Sequence, residues 1–201
     1  MTDPLPDETP LDRIDAGRIV DSILALDPLS ELPRTGWRLR GVVPCESIAD
    51  HSFGVGVLTM MLIDHLRRCG MEIDGEQALR MALLHDAAEA RTGDIPMPSK
   101  TPDLRRALKQ LERRLVHQML PPGLARTFDE AAAGDSLEAR IVRAADKLQM
   151  MIKLLRYEQT GRGLLDEFWA NPGNVRDEGL PGVRAVYAEV FRRGGRELPA
   201  R

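Results

Sequence analysis

Apolar residues recur along the chain at helical rather than alternating intervals. Side chains at positions 11, 14, 19, 20, 23, 24 and 26 trace one stripe of a helix from Leu11 to Leu26. The stretch Asp27 to Pro44 is interrupted by Pro28, Pro33, Gly36, Gly41 and Pro44, and reads as a long ordered loop of the kind that often carries function. A second helix is expected from Glu46 to Arg68, with Ser47 or Asp50 at its start and Gly70 as its stop. A third spans Asp74 to Ala90, closed by Gly93 and Pro96. A fourth runs from about Asp103 to Leu120 and ends at the Pro121–Pro122 pair, followed by a shorter helical piece to about Ala133. The longest candidate covers Ser136 to Thr160, stopped by Gly161, and the tail adds a piece around Pro181 to Arg193. No strand-like alternation of useful length and no internal repeat is present. Residues 1–10, with three prolines and three acidic residues, read as a disordered lead-in, and 11–201 as one domain.

Composition agrees with an all-α chain. Aromatics make up 4% of the 201 residues, so the core must be built from Leu, Ala, Val, Ile and Met, a mixture that favours helix packing over strands. A net charge of −3 lacks the basic surplus of a duplex-binding protein, so no nucleic-acid partner is expected. Cys45 and Cys69 have no CxxC or Cys/His spacing and read as reduced thiols. The acidic, proline-rich start is unlike a signal peptide, and no apolar run approaches the ~20 residues that span a bilayer. A cytoplasmic protein without membrane association is expected.

Four side chains stand out against this helical background. In LLHDAAEARTGDIP, residues 83–96, His85 and Asp86 sit together at the end of an apolar helix where burial alone would have placed Leu or Ala. An imidazole beside a carboxylate is a donor pair that divalent transition ions accept, and adjacent helical positions about 100° apart can reach one ion between them. Glu89 is i+4 from His85 and lies on the same face one turn along; its plain alternative is a surface charge. His51 lies near the start of the second helix. Asp146 lies mid-helix among Ala, Leu and Met, where a carboxylate is costly unless paired. A cation would pair it; Lys147 is the other candidate, although neighbouring helical side chains do not face one another. Asp94, after Gly93, could cap a turn. His65 lies 14 residues beyond His51, roughly 21 Å along a straight helix, and cannot share its centre. His117 reads as a helix-face residue, and the basic run at 105–115 as a solvated face.

The set formed by RTGWRLRG, PCESIADHS, LLHDAAEARTGDIPMPSK and RAADKLQMM resembles the HD superfamily of metal-dependent phosphohydrolases, and more narrowly its 5'-deoxynucleotidase branch, over roughly residues 30–160. The pattern HDxxExxxGD is the most specific part. The resemblance implies an HD-type helical bundle, a homodimer, and one divalent ion (Mn, Co, Fe, Ni, Zn or Mg) on His51, His85, Asp86 and Asp146. It implies Glu89 as the catalytic carboxylate and Asp94 as a residue near the nucleotide. Trp37 carries over as the wall against the deoxyribose. Some members have Arg immediately before that Trp; Gly36 stands there in this chain, and Arg34 is the expected replacement, with Lys100 a further counter-charge to phosphate. Arg38 and Arg40 read equally as a solvated basic loop. The implied reaction is hydrolysis of 2'-deoxynucleoside 5'-monophosphates to nucleoside and phosphate. A nucleoside triphosphate or modified-nucleotide phosphohydrolase, and a catalytically silent nucleotide-binding module, are the alternatives.

Overall fold

The structure, a computed structural model, describes residues 14–96 and 99–200; the lead-in assigned to 1–10 and the start of the first helix lie outside the described residues. The helices are α1 (Ala16–Leu26), α2 (Thr35–Arg38), α3 (Ile48–Arg68), α4 (Gly75–Leu84), α5 (Glu89–Thr92), α6 (Pro102–Met119), α7 (Pro122–Ala133), α8 (Leu137–Gln159), α9 (Asp166–Ala170) and α10 (Val183–Arg193). Among the described residues no strand forms, and the one isolated bridge joins Pro33 to Ser47. The all-α expectation holds.

Helix α8 is the axis of the fold. Ile141, Ala144, Ala145, Leu148, Met151 and Leu154 are fully buried along it, and α3, α4, α7 and α10 pack around it. Each fully buried Leu, Ile or Met contributes roughly 1.5–3 kcal/mol, so this one stripe anchors the bundle. The helix starts follow local chemistry. Ser47 and Asp50 form a reciprocal capping box at α3, Asp74 caps α4 by accepting from the Gln77 N–H, and Ser136 caps α8.

Three sequence expectations need correction. The helix expected to run from Asp74 to Ala90 ends at Leu84. From there the chain tightens into i→i+3 bonds, with Ala87 N–H donating to Leu84 O and Glu89 N–H to Asp86 O, each at 2.9 Å. The presumed loop between Asp27 and Pro44 contains a 3₁₀ turn, Asp27–Ser30, and α2. Most of the apolar stripe of α1 does not face the core: Ile23 and Leu24 are 63% and 64% exposed, while Ser22 is buried and donates to Met119 O. That helix is held by Ser22, by Arg18, which donates to Leu120 O, and by Ala25 and Leu26 at its end, which pack against apolar neighbours. In the tail, α9 and the 3₁₀ turn Pro172–Asn174 are too short to leave a periodic signal; the buried Trp169 ring, edge-on to Phe191 at 5.0 Å, pins them.

Candidate metal centre

Three helical segments meet at one point. The capping box begins α3 so that His51 lies one turn inside it, fully buried; the tight turn after α4 carries His85 and Asp86; and Asp146 projects from the middle of α8. One ligand atom each from His51, His85 and Asp146 lies within 4.8 Å of the others. His51 Nε2 is 3.2 Å from Asp146 Oδ1 and 3.7 Å from Asp86 Oδ2, and His85 Nε2 is 3.3 Å from Asp86 Oδ2. All four residues singled out as ligands therefore converge.

The orientation of the two rings tests whether a cation fits. His85 Nδ1 lies 2.8 Å from Ala82 O, which can only accept, so this nitrogen carries the hydrogen. His51 Nδ1 lies 2.6 Å from Gln149 Oε1. The amide of Gln149 is itself oriented by Glu46, whose carboxylate takes its N–H at 3.0 Å, leaving the oxygen for His51. Both rings then present the Nε2 lone pair inward, and both Nε2 atoms are buried without a hydrogen-bond partner. Lone pairs facing carboxylate oxygens at 3.2–3.7 Å repel unless positive charge sits among them. A divalent ion that accepts imidazole and carboxylate together meets that demand. The electrostatics of the site express the same need. Burial disfavours charge on His85, yet the adjacent Asp86 outweighs it and pushes the imidazole up to about 9. Burial would likewise raise Asp86 and Asp146, but their neighbours (His85 and Arg34 at Asp86, Lys147 and the His51 hydrogen bond at Asp146) hold both well below the carboxylate range.

Around this point lies a cavity of about 650 Å³, within the range of small-molecule sites. Glu89 borders it. Its Oε2 is buried without a hydrogen bond, and burial reinforced by Asp86 pushes its carboxyl up to about 9. Asp94 also lines the cavity and at the same time starts α2, its Oδ2 accepting the Thr35 N–H at 2.6 Å. Arg34 is gathered among three carboxylates: its Nη1 lies 3.0 Å from Asp86, 3.5 Å from Glu89 and 3.9 Å from Asp94. Burial opposes its charge, but those carboxylates hold the guanidinium above its ordinary range. Trp37 forms a wall, its ring stacked on Phe168 at 4.8 Å and its Nε1–H donating to Glu46 Oε1 at 2.8 Å. Lys100 is on the cavity lining. Arg40 lines it too, paired with Glu167 and lying over the Phe168 ring, while Arg38 is not on the lining.

One detail corrects the sequence reading. Lys147 does reach its neighbour, with Nζ 3.2 Å from Asp146 Oδ2, because the long, flexible side chain bends back over the cavity. Other participants were missed. Gln149 stands three residues after Asp146 on the same face of α8, a spacing that could have revealed it. Glu46 has no such signal, since it precedes α3 and meets Gln149 across 103 positions. Phe168, Asn171, Asn174 and Arg176 complete the far wall from segments too short for periodicity to register.

The HD domain family model matches residues 26–172. The chain is 32% identical over 142 residues to the 5'-deoxynucleotidase YGK1 of Saccharomyces cerevisiae, a match covering 66% of this chain and 63% of that relative. It is 30% identical over 165 residues to the 5'-deoxynucleotidase hdd1 of Schizosaccharomyces pombe, covering 76% of this chain and 80% of the other. Among solved structures, a protein from Pyrococcus horikoshii superposes with a TM-score of 0.73 at 37% identity, covering 88% of this chain and 98% of that one.

Proposed function

From the premise that the chain belongs to the HD domain family, we propose that it is a metal-dependent phosphohydrolase acting on 2'-deoxynucleoside 5'-monophosphates. The observation that carries the reading is the pair of buried, inward-facing Nε2 lone pairs opposite two carboxylates at the floor of a nucleotide-sized cavity. His51, His85, Asp86 and Asp146 would hold the ion. When bound, a divalent cation supplies Lewis acidity toward the phosphoryl oxygens and makes water acidic enough to attack. The remaining chemistry belongs to the chain. Glu89, at the cavity wall one turn beyond the proposed ligands, accepts a proton from the attacking water once the positive charge of the ion draws down the carboxyl that burial and Asp86 raise. Arg34, Lys100 and Lys147 set positive charge along the same lining, where the phosphate would lie. Arg34 also keeps Glu89 and Asp86 apart in charge, since it contacts both. The Trp37 ring, fixed by Glu46 and Phe168, presents a flat apolar face that suits a deoxyribose, where a 2'-hydroxyl would lose water without finding a partner. Water and phosphomonoester become nucleoside and inorganic phosphate.

The same reading takes the substrate to be a free nucleotide rather than a polymer, in line with the net charge of −3. Among the described residues no helix is long and apolar enough to cross a membrane, and a cytoplasmic location is part of the proposal. So is a homodimer: Phe53, Met61 and Leu83 leave an apolar patch on α3 and α4 at 71%, 62% and 51% exposure, which a second copy would cover. The ligand set suits Mn, Fe, Co, Ni or Zn, with Mg less matched to imidazole.

The test is phosphate release from each deoxy- and ribonucleoside 5'-monophosphate under several divalent ions, with dATP as a further substrate. Release of inorganic phosphate from dAMP well above AMP supports the reading. Release of triphosphate from dATP with dAMP untouched, or equal rates on ribo and deoxy substrates, overturns the substrate class or the role of Trp37 respectively.

A further inference from the structure

Glu46 is a buried acid with no part in the proton and phosphate chemistry above beyond holding Trp37, yet its side chain is held by three partners. Its Oε1 accepts from Trp37 Nε1 at 2.8 Å, its Oε2 accepts from Gln149 Nε2 at 3.0 Å, and Lys153 Nζ lies 3.4 Å from the same oxygen. Its backbone N–H donates to Tyr157 Oη at 2.8 Å. Trp37 and Lys153 can only donate, so the side chain of Glu46 can only accept. That one-way demand passes along the chain of bonds: the amide nitrogen of Gln149 must face Glu46, its oxygen must face His51, and His51 must carry its hydrogen on Nδ1. Gly54 makes the contact possible, because a Cβ there would lie 2.9 Å from Gln149 Cγ.

We infer that Glu46, acting through Gln149, is the positioning residue that sets the tautomer of His51 and so keeps the Nε2 lone pair aimed at the metal centre. The inference rests on the metal reading of the site. A side-chain amide is the one common group that can be turned end for end at little steric cost, so without an upstream acceptor Gln149 specifies neither tautomer. Replacing the carboxylate by an amide supplies one acceptor oxygen where three donors now converge, Trp37 on one oxygen and Gln149 and Lys153 on the other. Lys153 is 32% exposed and can turn to water while the buried Trp37 cannot, so the new oxygen stays with Trp37, the new N–H₂ faces Gln149, and Gln149 turns its own oxygen toward it. Gln149 then donates to His51 Nδ1, and the ring's hydrogen moves to Nε2, where it points at the cation and blocks ligation. By the same logic, exchanging the two groups (Glu46→Gln with Gln149→Glu) restores the one-way chain from Trp37 to His51, with Lys153 left to water: the carboxylate beside His51 takes the Nδ1 hydrogen and one amide hydrogen from position 46, while the amide oxygen keeps Trp37.

Long-range ¹H–¹⁵N correlation of the imidazole nitrogens in chelator-stripped protein reads the tautomer directly, and titration of the same protein with Zn²⁺ alone reads the affinity. Wild type is expected to show hydrogen on His51 Nδ1. E46Q is expected to show it on Nε2 and to bind Zn²⁺ about 10–100-fold more weakly, while the paired exchange E46Q/Q149E returns the Nδ1 signature and most of the affinity. Q149L, which cuts the link and leaves Glu46 intact, should weaken Zn²⁺ binding similarly and stands in if E46Q does not fold. An unchanged His51 tautomer and unchanged affinity in E46Q would overturn the inference while leaving the metal reading intact. No Zn²⁺ binding by wild type would overturn the metal reading and this inference with it.

Discussion

His51 and His85 present the same atom to the same point, but the two regions that carry them are built differently. His85 is aimed from within its own turn: Ala82, three residues back, supplies the carbonyl that fixes Nδ1, and any chain that makes the α4 ending makes that bond. His51 is aimed from outside: Gln149 lies 98 positions away and takes its own orientation from Glu46, 103 positions from it again. The local arrangement is robust because a backbone carbonyl cannot turn round. The long-range one is tunable because every link is a side chain that mutation can reverse.

The comparison can be broken most severely where the two sides join. Asp146→Ala removes a carboxylate that faces His51 directly and should lower activity about 10³-fold, since several kcal/mol of transition-state stabilisation depend on the ion. Treatment with a chelator should give the same loss, reversed by adding a divalent salt; activity that survives either treatment would remove the metal from the chemistry. On the His85 side alone, Glu89→Gln should lower turnover about 10²-fold or more with Zn²⁺ affinity held close to wild type. A fall in affinity as large as the fall in turnover would instead make Glu89 part of the ligand set. On the His51 side alone, Gly54→Ala drives a methyl group toward Gln149, which is fixed at both ends. We expect several-fold weaker Zn²⁺ binding and a stability loss of about 1–3 kcal/mol by urea unfolding. Unchanged Zn²⁺ affinity would mean that Gln149 shifts without disturbing His51. The smallest effect separates the two helix starts. Ser47→Ala and Asp74→Ala each remove one capping acceptor, and the Ser47 N–H bond to Asp50 survives in the first, so thermal unfolding should register a loss of about 1 kcal/mol for each, larger at Asp74, where a negative charge at the helix start goes too. Equal losses would mean that the Asp74 charge adds nothing beyond its hydrogen bond.

Much of this was legible in the chain. Helix starts at Ser47, Asp74 and Ser136 are chemical events within four residues, and structure follows them. Of the convergent quartet, His85, Asp86 and Asp146 were legible because burial penalises polar groups and they interrupt apolar faces that would otherwise continue; His51 joined them only through the resemblance to the HD superfamily. Helix α1 marks where the reasoning stops, since an apolar stripe says only that something should cover it, and here the described chain covers only its end. The break at Leu84 was hidden for a different reason. His85 and Ala88 keep right-handed helical dihedrals, and the hydrogen-bond spacing between them tightens.

The sequence by itself determined the helical class and the caps, and marked His85, Asp86, Asp146 and the glutamate one turn beyond the His-Asp pair as polar positions needing a partner, because each depends on interactions within a few positions or on the cost of burying charge. Only the tertiary structure decided which nitrogen His51 offers, that Lys147 folds back on Asp146, that Arg34 sits among three carboxylates, and that Glu46 meets Gln149. Those are hydrogen bonds and ion pairs between side chains brought together by tertiary packing, or by rotamers chosen against the cavity, and periodicity carries no record of either.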